Sequence, residues 1–103
     1  MRYLVPLTAT LFLLCTTAEA APGNAEAGRD LAASSCSGCH TLPSAHEGAD
    51  TAPPFANIAR DHKGDRTWVR TWLMNPHPPM KGLNLSRQQI DDINAYLESL
   101  SPP

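Results

Sequence analysis

An all-α fold is predicted by three observations. Apolar residues recur at helical spacing in three separate stretches, and each stretch opens on a residue able to cap a helix. No stretch alternates apolar and polar residues as a strand does. No internal repeat is visible, and the helices belong to one domain.

The first helix is expected from about Ala25 to Ser35, with Asn24 as its N-cap. It is rich in alanine and presents Ala27, Gly28 and Leu31 on one side. Gly28 weakens a helix relative to alanine, a loss that close approach by a second helix would offset. Residues 41–64 contain Pro43, Gly48, Pro53, Pro54 and Gly64 and read as a loop, with a short turn at Phe55 to Ala59.

The second helix falls in the stretch Asp65 to Met74, with Asp65 or Thr67 able to cap it and Trp68/Trp72 and Val69/Leu73 as i, i+4 pairs. It ends near Asn75, because Pro76 disfavours helical geometry in the residue before it. The last helix carries the clearest signals. Ser86 and Gln89 form a capping box, and Leu85 with Ile90 forms a hydrophobic staple. Ile90, Ile93, Leu97 and Leu100 then line one face, and Pro102 and Pro103 follow the end.

The start of the chain reads as an address. Arg2 is followed by an apolar run from Tyr3 to Leu14, broken only by Pro6, Thr8 and Thr10, and then by an A-x-A pattern ending at Ala20. This is the pattern of a secretory signal peptide over residues 1–20, cleaved before Ala21, and it implies export to the periplasm. The run is shorter than the roughly 20 apolar residues a membrane span needs, so no membrane anchor is expected. Cys15 follows the bulky Leu14, where a lipobox has a small residue, and is assigned to the discarded segment. Removing 20 residues from 103 leaves a domain of 83, residues 21–103. A chain that short buries little core and needs a staple.

The formal net charge of −2 gives no reason to expect nucleic acid as a partner. The charge is nonetheless segregated: residues 21–50 are net −3, residues 51–81 net +3 and residues 82–103 net −2.

Cys36-Ser37-Gly38-Cys39-His40 is the most informative stretch. Two thiols at this spacing can add to the two vinyl groups on one edge of a porphyrin, and the next histidine can bind the iron beneath the ring. Ser37 and Gly38 are small enough for the tight turn. A zinc site would need four Cys or His ligands, commonly in two pairs, and the chain's other cysteine is Cys15. A thioredoxin-like pair would sit in a βαβ pattern, and a plain disulfide would leave His40 without a role. The motif therefore predicts one covalent haem c with iron, which is also the staple that a short chain lacks.

With the motif and the helix order in place, the chain resembles the class I c-type cytochromes, in particular the short bacterial periplasmic type with one haem. The Gly28 helix and Asp92-Ile93-Asn94-Ala95-Tyr96-Leu97 match the family's crossing N- and C-terminal helices. The resemblance implies that Gly28 packs near Tyr96 and that helices and loops wrap the haem. It implies Cys36 and Cys39 as thioether residues, with His40 and a methionine as axial iron ligands. Met80 fits, standing 40 residues after His40 in a loop stiffened by Pro76, Pro78 and Pro79. Met74 lies in a helical pattern beside two tryptophans and reads as packing. His46, His62 and His77 are the alternatives for a second histidine ligand, but each reads better as a solvated loop histidine. Lys81 stands where many relatives carry proline, and its amine can bind iron after losing a proton at high pH.

Ala52-Pro53-Pro54-Phe55 resembles the family segment whose proline carbonyl receives the second N–H of the ligand histidine, which makes Pro53 the candidate. Phe55 and Ile58 would pack on the ring, and Trp68 or Trp72 would reach a haem propionate or pack beside it. The function implied is one-electron transfer by a monomer, without catalysis, free or as a subunit of a larger oxidoreductase. An enzyme or gas sensor would instead leave the sixth iron site open, and a thiol–disulfide protein would carry no haem. The partners are redox proteins, with an acidic patch expected to meet Lys63, Arg66, Arg70 or Lys81.

Overall fold

The computed structural model describes residues 22–43, 50–75, 80 and 82–101. The expected signal peptide with Cys15, and His46, Pro76, His77, Pro78, Pro79 and Lys81, lie outside the described residues. Four helices follow in order among those described: α1 Ala25–Ser35, α2 Phe55–Asp61, α3 Arg66–Met74 and α4 Arg87–Leu100.

α1 starts where Asn24 accepts the Ala27 N–H on its side-chain oxygen at 2.9 Å. The backbone N–H of Asn24 in turn donates to Asp92 of α4 at 2.8 Å, so the last helix completes the start of the first. Gln88 donates to the same Asp92 oxygen at 2.9 Å, which keeps this buried carboxylate hydrogen-bonded. One turn on, Gly28 lies against the Asp92 carbonyl and the Tyr96 side chain, the close approach its missing Cβ allows. The buried stripe of α1 is Gly28 and Ala32, with Leu31 half-buried, whereas Ala27 faces solvent.

α4 opens on the capping box expected from Ser86 and Gln89, with bonds of 3.1 Å and 2.8 Å. It is the central element, packed by α1, α2 and α3. That is why Asp92, Asn94 and Tyr96 are buried along with the apolar face of Ile90, Ile93 and Leu97. Ala32, Phe55, Ala59 and Val69 meet Ile93, Tyr96 and Leu97 in one core, completed by Leu42.

The stretch from Phe55, expected as a turn, is a seven-residue helix. No side chain caps it. The Phe55 N–H instead donates to the Thr41 carbonyl at 3.0 Å, and burial of Phe55 and Ala59 holds the helix on the core. α3 is capped by Asp65, which accepts the Trp68 N–H at 2.9 Å. It is tied to α4 by Arg66, which donates to both oxygens of Glu98 at 2.5 Å and 2.7 Å, and by Arg70, which donates to Asp91 at 2.7 Å. Arg66 also donates to the Pro22 carbonyl ahead of α1 at 2.8 Å. Among the described residues no helix is long and apolar enough to cross a membrane.

Candidate cofactor site

An open cleft of about 750 Å³ lies between helices and loops, and a smaller apolar pocket that shares Cys36, His40, Ile58 and Met80 with it forms its floor. That volume lies within the roughly 300–1,000 Å³ of typical ligand sites. Leu31, Phe55, Val69, Ile93 and Leu97 form the floor, and Cys36, Cys39, His40, Pro53, Trp72 and Met80 are among the residues of its wider mouth.

The end of α1 delivers the first three of these. Cys36 still donates its N–H to Ala32 at 2.8 Å, and the Cys36 carbonyl then accepts from Cys39 at 3.2 Å and from His40 at 2.9 Å. This extra turn puts Cys36, Cys39 and His40 on one wall of the cleft. The two thiols are not joined to each other. Burial, with the neighbouring Cys39 adding to it, pushes the Cys36 thiol up from its ordinary value.

His40 is held at two sides. Its Nδ1 is 2.6 Å from the Pro53 carbonyl oxygen, and its ring meets Phe55 edge-on at 5.3 Å between centroids. A carbonyl only accepts, so Nδ1 carries the proton and Nε2 keeps its lone pair for a metal. Pro53 is fixed in turn, because Ala52 donates to the Cys39 carbonyl at 2.9 Å and Phe55 to Thr41 at 3.0 Å. Phe55 itself lies beneath the cleft, in the floor, while Ile58 lines both floor and mouth.

Met80 also lines floor and mouth. Met74 does neither; it is 57% exposed, so the packing expected for it is absent. The remaining wall is aromatic. His62 stacks on Trp68 with centroids 3.4 Å apart and planes at 8°, and Trp68 stacks on Trp72 at 5.3 Å and 13°. All three line the mouth, His62 among them although the sequence favours a solvated loop histidine there. Lys63, Arg66 and Arg70 do not line the cleft, and the two arginines are held by acids of α4.

The donor set fits a flat apolar macrocycle carrying its own metal. Two free thiols, one nitrogen lone pair and one thioether surround an apolar slot. Among the described residues no group of three or more His, Cys, Asp or Glu side chains is placed to hold a bare ion.

Comparison with known proteins agrees. The family model described as Cytochrome c matches residues 25–101, which span α1 to the end of α4. A cytochrome c-552 of Bradyrhizobium diazoefficiens is 33% identical over 93 residues, covering 89% of each chain. No solved structure matches the chain at a significant level. A match running from the first helix to the last, over a cleft lined by two thiols and a histidine, places the chain in the cytochrome c family of electron-transfer proteins, which hold haem c and its iron covalently.

Proposed function

We propose that the chain is a periplasmic one-electron carrier in which Cys36 and Cys39 form the thioether bonds to haem c and His40 and Met80 are the axial ligands of its iron. The haem supplies the one-electron couple. The observation that carries the reading is the contact between His40 Nδ1 and the Pro53 carbonyl, which leaves Nε2 as the free donor of a ring already fixed in the cleft. A ligand oriented before the iron arrives loses little further freedom on binding. Met80 is the methionine among those described that shares the cleft, and a thioether donor raises the reduction potential. His40 and Met80 together would leave no position for a substrate on the iron. Pro53, Phe55 and Ile58 support the histidine side, and Trp72 lines the cleft beside Trp68. The periplasmic location rests on the export pattern of residues 1–20.

The test is the absorption spectrum of the oxidised protein, which shows a weak long-wavelength band when methionine binds ferric iron. Met80→Ala is expected to keep covalent haem, lose that band and bind added cyanide faster. Met74→Ala is expected to behave as the wild type. A band that survives Met80→Ala would assign the sixth ligand elsewhere.

A further inference from the structure

His62 is held by backbone and ring together. As the C-cap of α2 it donates its N–H to the Ile58 carbonyl at 3.0 Å, and its own carbonyl accepts the Asp65 N–H at 3.0 Å. Asp65 in turn caps α3 by accepting the N–H of Trp68 at 2.9 Å. The turn between them passes through Gly64 at φ +76°, a conformation natural to glycine. The circuit closes through the side chains, because the His62 ring lies flat on the Trp68 indole at 3.4 Å. From Trp68 the stack continues to Trp72, which is 42% exposed. An indole on the wall of an open cleft has several rotamers available, and a ring clamped on one face selects among them.

We infer that His62 is a positioning residue for the cofactor cleft: its ring, fixed by the α2–α3 corner, holds Trp68 and through it Trp72 as one continuous aromatic wall beside His40 and Met80. The inference rests on the haem reading above and adds a residue to it. A continuous wall shields its side of the cleft from water. Water beside a haem iron favours the more highly charged oxidised form, so opening the wall lowers the reduction potential.

Three variants of the haem-loaded full chain separate ring stacking from the other properties of histidine: His62→Phe keeps a flat ring, His62→Leu keeps bulk without a ring, and His62→Ala keeps neither. Two quantities are read, the near-ultraviolet circular dichroism of the coupled Trp68 and Trp72 indoles and the midpoint potential. His62→Leu and His62→Ala are expected to lose most of the coupled signal and to shift the potential downward, while His62→Phe retains both. Wild-type values of both readouts in His62→Leu would overturn the inference. So would a His62→Phe protein that falls with the other two, since the effect would then belong to the polarity of histidine. Should His62→Ala yield no haem-loaded protein, the Phe and Leu variants, similar in bulk, decide alone. The long-wavelength methionine band, recorded on the same samples, reports on Met80 ligation separately. Its absence from the wild type would count against that ligation and leave the test of the ring stack intact.

Discussion

Gly28 of α1 touches the backbone carbonyl of Asp92 in α4, and the Cβ of any other residue there would also come within 2.9 Å of the Tyr96 Cβ. The obstacle is backbone, which has little room to yield. Gly28→Ala gains about 1 kcal/mol of helix propensity, but overpacking of this kind costs roughly 1–3 kcal/mol and sometimes more. Against a backbone carbonyl the upper end applies. The expected outcome is a net loss of about 2 kcal/mol in denaturant unfolding of the haem-loaded protein. A stabilised variant would mean that the two helices are not in contact there.

The pairing of Arg66 with Glu98 predicts a pH dependence. The hydrogen bonds from Arg66 hold the Glu98 carboxyl below its usual range. A depressed carboxylate contributes stability that is present above the unfolded value, near 4.5, and is lost as pH falls through the lower folded value. Glu98 is 41% exposed and solvent screens the pair, so the contribution is on the order of 1 kcal/mol or less. Unfolding measured from neutral to acid pH should show a shallower acid loss in Glu98→Gln than in the wild type. Identical slopes would remove Glu98 from the acid response.

The core is expected to depend on the cofactor. The cleft separates the Cys36–His40 turn from the aromatic wall of α3, so without haem those surfaces face water. Cys36→Ala combined with Cys39→Ala is expected to abolish covalent haem and to leave a chain with little stable helix by far-ultraviolet circular dichroism. A cooperative thermal transition in the haem-free variant would show that the protein frame is self-sufficient.

Salt should act weakly through Arg66 and Arg70. Both were expected to face an acidic partner, yet both are bonded to acids of α4, which cancels much of their field. Arg70→Gln is therefore expected to change the ionic-strength dependence of electron transfer to a negatively charged acceptor by less than twofold in rate, a loss on the order of 0.4 kcal/mol. A collapse of that dependence in stopped-flow measurements would restore Arg70 as a docking charge.

α1, α3 and α4 were legible in the sequence because each starts with a side chain that caps its own helix. Asn24, Asp65 and Ser86 all accept the N–H three residues on. α2 was not, because its first N–H is satisfied by Thr41, a partner that only the folded chain brings near. Residue type and spacing were enough to mark Cys36, Cys39 and His40, and the family resemblance marked Pro53; the fold brings all four together in one cleft. His62 gave no such signal, since its stacking depends on the path of the turn through Gly64. Met74 misled by composition. Trp72 and Leu73 precede it, but α3 turns Val69 inward and leaves Met74 outside the buried stripe.

The bond from Asn24 to Asp92 links residues 68 positions apart and, with Gly28 beneath it, joins the first helix to the last. In mechanical terms the domain is a loop closed by a clasp. Force applied at residues 24 and 101 is borne first by the α1–α4 seam, and the stretch that carries the cleft comes under tension only after that seam has parted. The cofactor-bearing part of the chain is thus shielded from tension at its ends.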